Sequence, residues 1–529
     1  MTSEAGTSEA VTTGSSSARG SSASQSSASQ SSGSVPAPLA YHEQSDADRD
    51  RLLGRLLALP ADGLVLLRGA TVVTMDPRLG DLAAGDVLLR GAAIEAVGAD
   101  LSGPAADSGA VVVDLKGMIL MPGLVDGHRH CWQNQLRHLI CDAEIDEYIA
   151  MTHGSTALHY RPEDMYIGDL VTLLGALDSG VTCVLDFSHN SRSPEHSDAV
   201  FRAYRESGAR TVHVSAPPNA GQWAEQFPED LLRLRSAYCA GSGALATVRM
   251  GIDLRRVRPL TDLMSYARDN GFAITFDGVM GPPSSAEVEE AGRQGALGPD
   301  VTLVHCTDMS DAAWRHIADS GAHVTLAPTS DEQLGLADGV PPVQRALDSG
   351  VRPSLSVDVE ISLSSDMFTQ MRCILLTQRM QATNRRYRGD QAAPAFITNR
   401  DVLDFATAQG AADVGLGEVI GTLTPGKQAD IVAIRAEDIN NLPLNSAIGT
   451  IVQGTDTKNV DTVFVAGRPR KWRGELVGVD MTRLRRLAAD SRDYLAAKAG
   501  FTVNPVQPPG RREIQDPYLR EYFASRGRE

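Results

Sequence analysis

From Gly63 onward the apolar positions fall in short β-branched runs broken by Gly and Asp: LVLLRGATVVTM (64–75), GDVLLRGAAIEAVGA (85–99) and AVVVDLKGMIL (110–120). Runs of this length and composition between turn residues read as strands. Two similar runs return near the other end, ADIVAIRA (429–436) and NVDTVFVAGRPR (459–470). The two sets are expected to pair into one small β-sandwich. Between them the pattern alternates strand with helix. Eight strand candidates stand out: 119–130, 180–189, 209–217, 245–253, 272–279, 301–308, 322–330 and 352–359. Crossover segments such as EHSDAVFRAYRESG and DAAWRHIADSG carry helical spacing between them. Eight β-α units predict a (β/α)8 barrel of the TIM type in an α/β chain, inserted in the sandwich. A doubly wound open sheet is the runner-up, and it lacks its Gly-rich phosphate turn here. The apolar stripe of DADRDRLLGRLLAL (46–59) predicts a short helix ahead of the first strand.

Composition adds limits. Residues 1–38 are almost entirely Ser, Ala, Gly, Thr and Gln, with no apolar core of a signal peptide, and read as a disordered tail extending to about residue 45. The expected organisation is a tail at 1–45, a helix and first sandwich part at 46–118, the barrel at 119–419, the second sandwich part at 420–475 and a helical extension at 476–529. With 49 basic and 66 acidic residues the net charge is −17, which argues against nucleic acid as a partner. No apolar run is long enough to span a membrane. Six scattered cysteines without a C-x-x-C pair are expected to be free thiols in a reducing cytoplasm.

In a barrel of this kind chemistry sits at the C-terminal ends of the strands. His128 and His130 are two apart at the end of the first strand, and a period of two puts both on one face. Paired imidazoles suit a borderline ion such as zinc, iron or manganese. Asp358 ends the last strand, beside the first after closure, where a carboxylate can bind a metal and accept a proton. His305 ends the sixth, placed to polarise a carbonyl or touch the metal.

Together, PGLVDGHRH (122–130) and IGTLTPGKQADIVAI (420–434) resemble the amidohydrolase superfamily, in its cytosine-deaminase-like and chlorotriazine-hydrolase-like branch. The resemblance covers about residues 63–475. It implies one divalent metal ion, zinc first, and a metal-activated water that attacks an sp² carbon bearing an amine, amide or halide. It also implies a small-molecule substrate and the family's habit of homodimers. The family's ligands are the H-x-H pair, a His ending strand 5 and an Asp ending strand 8, with a proton-shuttling Glu three residues after the strand-5 His. His128, His130, His305 and Asp358 match. Strand 5 does not: Asp277 stands at the His position and Met280 three residues on. Asp277 is either a replacement ligand in a His2Asp2 site or itself the acid/base group, or the metal is lost.

Further expectations concern the mouth. Trp132 and Gln133 are placed as a wall and a polar handle. His189 and His213, with Thr329 and Ser330, are candidate substrate contacts. Phe187, Phe276 and Met280 are expected to line the pocket with apolar surface, and Glu360 and Asp366 to be solvated or capping. The leading function is hydrolysis of a small heterocycle or cyclic amide. A lyase, isomerase or cyclase using Asp277 and His305 for proton transfer stays open, as does an inactive small-molecule binder.

Overall fold

The computed structural model describes residues 45–524 apart from 104, 106–108 and 242; residues 1–44 of the expected tail lie outside the described residues. The helix Asp46–Leu57 opens it, capped by the Ser45 hydroxyl, which accepts from Asp48 N. Strands β1 (Leu64–Val72), β2 (Leu82–Arg90) and β3 (Ala93–Gly98) form an antiparallel meander, and β4 (Val111–Asp114) and β5 (Met118–Pro122) run parallel to β1.

The single strand expected over 119–130 is two strands. β5 stays in the mixed sheet, and β6 (Leu124–Arg129) begins the barrel. The break falls at Gly123, whose N–H donates to Asp430 O (2.9 Å). A Cβ there would lie 2.0 Å from Thr182 Oγ1, so only glycine lets the chain pass between the two sheets.

Parallel strands β7 (Val181–Ser188), β8 (Arg210–Ser215), β9 (Ala246–Ile252), β10 (Ile274–Met280), β11 (Val301–Thr307), β12 (His323–Leu326) and β13 (Ser354–Leu355) follow in chain order. The ring closes just past β13: Asp358 N donates to His128 O (3.0 Å) and His130 N donates to Asp358 O (2.9 Å). Helices cover the outside, among them Pro194–Ser207 and Asp311–Ser320 at the predicted crossovers. The chain then re-enters the mixed sheet through β14 (Ile431–Arg435), β15 (Val460–Val465), β16 (Arg468–Trp472) and β17 (Glu475–Leu476), with β14 antiparallel to β5. The fold is therefore a (β/α)8 barrel joined to a sheet built from both ends of the chain. Two helices, Met481–Ala499 and Pro517–Ala524, end the described chain. Leu519 is fully buried, and the Tyr518 hydroxyl donates to Leu254 O (2.6 Å). Among the described residues no helix is long and apolar enough to cross a membrane.

Candidate active site

Five side chains converge where β6, β10 and β11 end and the ring closes. His128 Nε2 lies 3.3 Å from His130 Nε2, 3.5 Å from Asp277 Oδ1 and 3.4 Å from Asp358 Oδ1. His130 Nε2 lies 3.4 Å from Asp277 Oδ2 and 3.2 Å from Asp358 Oδ1. His305 Nε2 stands a little farther out, 3.5 Å from Asp277 and 3.9 Å from Asp358. All five are buried. The backbone is left-handed at His305 (φ 73°), Cys306 (φ 58°) and Asp358 (φ 70°), which costs about 1–3 kcal/mol per residue and is typical of functional sites.

Each group is braced from behind. His130 Nδ1 donates to Phe187 O (3.2 Å), which turns Nε2 toward the cluster. His305 Nδ1 is 2.8 Å from Asp331 Oδ1, so that carboxylate fixes the ring and aims Nε2 inward. The Ser330 hydroxyl donates to Asp358 Oδ2. His189 Nδ1 is 2.6 Å from Asp253 Oδ2, which also accepts from Asn219 Nδ2, and the His189 ring stacks on His130 at 4.2 Å.

The electrostatics follow from two buried carboxylates among three imidazoles. Burial works against the charged form of His130, but Asp277 and Asp358 outweigh it and hold its pKa up at about 10. His305 is raised in the same way, against burial, by Asp277 and Asp331. Burial alone would raise Asp277 and Asp358; the surrounding imidazoles instead pull both well below the usual carboxylate range. Burial pushes Asp331 up to about 6. His189 and His153 are pushed down, by burial first and by neighbouring histidines next. The cluster thus demands positive charge at its centre.

Its donors fit a metal ion. A tetrahedral ion with ligand bonds of about 2.0–2.1 Å sets its ligand atoms about 3.3–3.4 Å apart. His128 Nε2, His130 Nε2 and Asp358 Oδ1 lie 3.2–3.4 Å from one another, while Asp277 turns Oδ1 to His128 (3.5 Å) and Oδ2 to His130 (3.4 Å). Asp358 Oδ1 is buried with no hydrogen-bond partner, as an oxygen reserved for a cation would be.

The structure separates the remaining expected contacts. His189 and Met280 line the small cavity above the cluster. Phe276 does not: neighbours on a strand point to opposite faces, so with Asp277 in the mouth Phe276 faces the helices, under the Arg256 guanidinium. His213 also faces outward, packed on Phe201 (4.8 Å) with Nδ1 2.9 Å from the Tyr204 hydroxyl. Gln133 lies one layer back, donating to the Tyr148 hydroxyl (2.8 Å), and Trp132 packs behind His189 (5.7 Å). Thr329 turns away to Gln370, and Ser330 braces Asp358 instead of reaching the cavity. Glu360 is buried, not solvated, and holds Arg129 and Arg137 at 2.7 Å each, while Asp366 does cap a helix. Asp253, a strand-end candidate in the sequence, does reach the cavity, whereas Asp331, which braces His305, and Asn219, Tyr148 and His153, which line the cavity, were not singled out; the signal for Asp331 is its position just past a strand end.

The profile of the amidohydrolase family matches residues 279–470. The chain is 25% identical over 421 residues to the 5'-deoxyadenosine deaminase of Methanosarcina mazei, covering 76% of this chain and 92% of that protein. It is 28% identical over 405 residues to the 5-methylthioadenosine/S-adenosylhomocysteine deaminase of Teredinibacter turnerae, covering 73% and 87%. In fold the chain is similar to a zinc-bound adenosine deaminase from Xanthomonas campestris (TM-score 0.69, 21% identity, 83% and 99% covered). It is equally similar to the zinc complex of atrazine chlorohydrolase from Arthrobacter aurescens (TM-score 0.70, 20% identity, 81% and 100% covered).

Proposed function

We propose that this protein is an amidohydrolase that hydrolytically displaces an amine or a halide from an sp² carbon of a small nitrogen heterocycle. One divalent ion, zinc first, is held by His128, His130, Asp277 and Asp358. The observation that carries the reading is the mutual 3.2–3.4 Å spacing of His128 Nε2, His130 Nε2 and Asp358 Oδ1 at the barrel mouth, with the Asp277 carboxylate against both imidazoles. When bound, the ion is a Lewis acid that makes water a usable nucleophile near neutral pH. Asp358, with Oδ2 steadied by Ser330, is the carboxylate that would accept a proton from the attacking water. His305, braced by Asp331, donates a hydrogen bond to the ring atom or leaving group where charge develops. The neutral His189, its Nδ1–H given to Asp253, offers Nε2 as an acceptor for a substrate N–H. Ile145, Ile149, Leu334 and Leu336 line the cavity and keep bulk water out. About 50 Å³ is open above the donors, walled on one side by the helix Ile145–Met151 and the Leu334 turn, which Ile145 N joins by donating to Leu334 O. The six free cysteines suit a cytoplasmic enzyme.

A second reading is favoured by one observation: Met280, three residues after Asp277, lines the cavity where a proton-carrying Glu would stand. Asp277 and His305 would then move protons within one substrate, as in a lyase or isomerase. The test is a panel of 5'-deoxyadenosine, 5-methylthioadenosine and atrazine offered to zinc-loaded protein. Release of ammonia or chloride that stops on chelation and returns with zinc is the expected result. Full metal content with neither product across the panel would overturn the hydrolytic reading.

A further inference from the structure

A second cavity, of about 260 Å³, opens at the opposite end of the barrel from the donor cluster. It lies at the starts of β8 and β9, between the helices Pro194–Ser207 and Asp230–Tyr238, and includes Thr211 and Ala246. Substrates of such barrels bind at the C-terminal face, so this cavity belongs to a different site. Its walls are apolar and fixed. Phe201 stacks on Tyr238 at 4.5 Å, and the Tyr238 hydroxyl is tied to Asp198 (2.8 Å). The Tyr204 hydroxyl donates to the buried Asp186, which holds that ring in place.

Its charged groups are of one sign. Arg205 and Arg470 line it, and no carboxylate does among the described residues. Neither guanidinium makes an ion pair or hydrogen bond among the described residues, although acidic residues outnumber basic ones 66 to 49. Asp430 is the acidic group near Arg470, but its two oxygens are taken by Arg210 at 2.9 Å each. Arg470 is half-buried, its Nε has no partner, and Gly208 makes room for it: a Cβ there would lie 2.3 Å from the guanidinium carbon. Thr211, fully buried, has a hydroxyl with no hydrogen-bond partner. A half-buried, unpaired guanidinium beside an unsatisfied hydroxyl is costly unless an anion completes it.

We propose that this cavity is a binding site for a small aromatic carboxylate, its ring among Phe201, Tyr204 and Tyr238 and its carboxylate on Arg470, with Arg205 at the rim. The volume falls below the roughly 300–1,000 Å³ of drug-sized pockets and so selects a one-ring acid. A planar guanidinium matches a carboxylate with two parallel hydrogen bonds, which a neutral amide cannot reproduce. The site stands independently of the reaction assigned to the barrel mouth.

The test is calorimetric titration of the zinc-loaded full chain with benzoate, with benzamide as the neutral isostere and sulfate as the bare anion. Benzoate is expected to bind with one site per chain and benzamide at least about tenfold more weakly. Arg470→Ala should weaken benzoate about tenfold or more, and Arg205→Ala, an exposed position that does not threaten folding, by several-fold. The variant carrying His128→Ala and His130→Ala should bind benzoate unchanged. Binding that survives both arginine variants but is lost in the histidine variant would place benzoate on the catalytic donors and overturn the proposal. Equal affinity for benzamide, or sulfate binding as tightly as benzoate (an adventitious ion only), would also overturn it.

Discussion

Replacing Asp277 separates its two possible roles. Its carboxylate touches three imidazoles at 3.4–3.5 Å and is the acidic group that β10 brings to the cluster. If it is a ligand, Asp277→Ala leaves two histidines and Asp358 as the close donors. Loss of residues that merely support a ligand already costs about 10–100-fold in metal affinity, so loss of the ligand itself should exceed about 1.4–2.7 kcal/mol. Asp277→His should restore occupancy, because it returns a neutral imidazole to the strand end and creates a His3Asp site. Rate need not return with it, since Met280 still stands where a proton carrier would. If Asp277 is the acid/base group, Asp277→Ala and Asp277→Asn should both keep zinc and lose about 10²–10⁴ in rate. The assay is zinc per chain after equilibration with a competing chelator, with circular dichroism to confirm folding and product release to give the rate. Full zinc and full rate in Asp277→Ala would refute both roles and remove β10 from the site.

Two other perturbations test the frame around the site. Glu360→Gln leaves the buried Arg129 and the half-buried Arg137 sharing one fewer negative charge, while Asp126 still pairs with Arg129. Breaking a buried pair typically costs about 3–5 kcal/mol, and the lower end is expected here in the urea midpoint; an unchanged midpoint would contradict the ion-pair account. His213 is the pH-sensitive element behind the barrel. Burial pushes its pKa from 6.5 down to about 4, so the folded state resists a proton that the unfolded chain accepts. Its stabilising contribution is therefore complete above about pH 6.5 and is lost as pH falls through about 4, on the order of 3 kcal/mol. His213→Gln should flatten the stability profile between those two pH values, and an identical slope in both proteins would show that His213 does not titrate with folding.

Much of the site could be read from strand ends alone. The spacing of His128 and His130, and the positions of Asp277, His305 and Asp358, follow from one rule about barrels and need no knowledge of loops. What failed was face assignment and direction after the strand. Phe276 sits beside Asp277, so period two already excluded it from the same pocket. For His213 the clue was Val212 and Val214, which pack with Cys183, Leu185 and Phe187 and leave the residue between them on the other face. Trp132 and Gln133 lie on the short 3-10 helix Cys131–Leu136, and no periodicity in the chain announces which way such a turn carries its side chains. Asp331 reaches His305 from the helix Pro328–Gln333, and Asp253 meets His189 across 64 residues; both contacts depend on inter-strand register that one sequence does not encode locally.

The site and the closure of the barrel are one structural event. Asp358 holds a left-handed backbone that a non-glycine residue avoids, and it does so between two backbone hydrogen bonds to the strand that carries His128 and His130. Those bonds close the ring and, in the same stroke, put the Asp358 carboxylate within 3.2–3.4 Å of both imidazoles. Gly127 makes that approach possible: a Cβ there would lie 2.4 Å from Thr325 Oγ1 and 3.2 Å from Leu355 O. The strain at Asp358 is thus offset by main-chain bonds, not by its carboxylate. Removing the imidazoles should empty the site and leave the ring closed, whereas a side chain at Gly127 should disturb closure and donor geometry together.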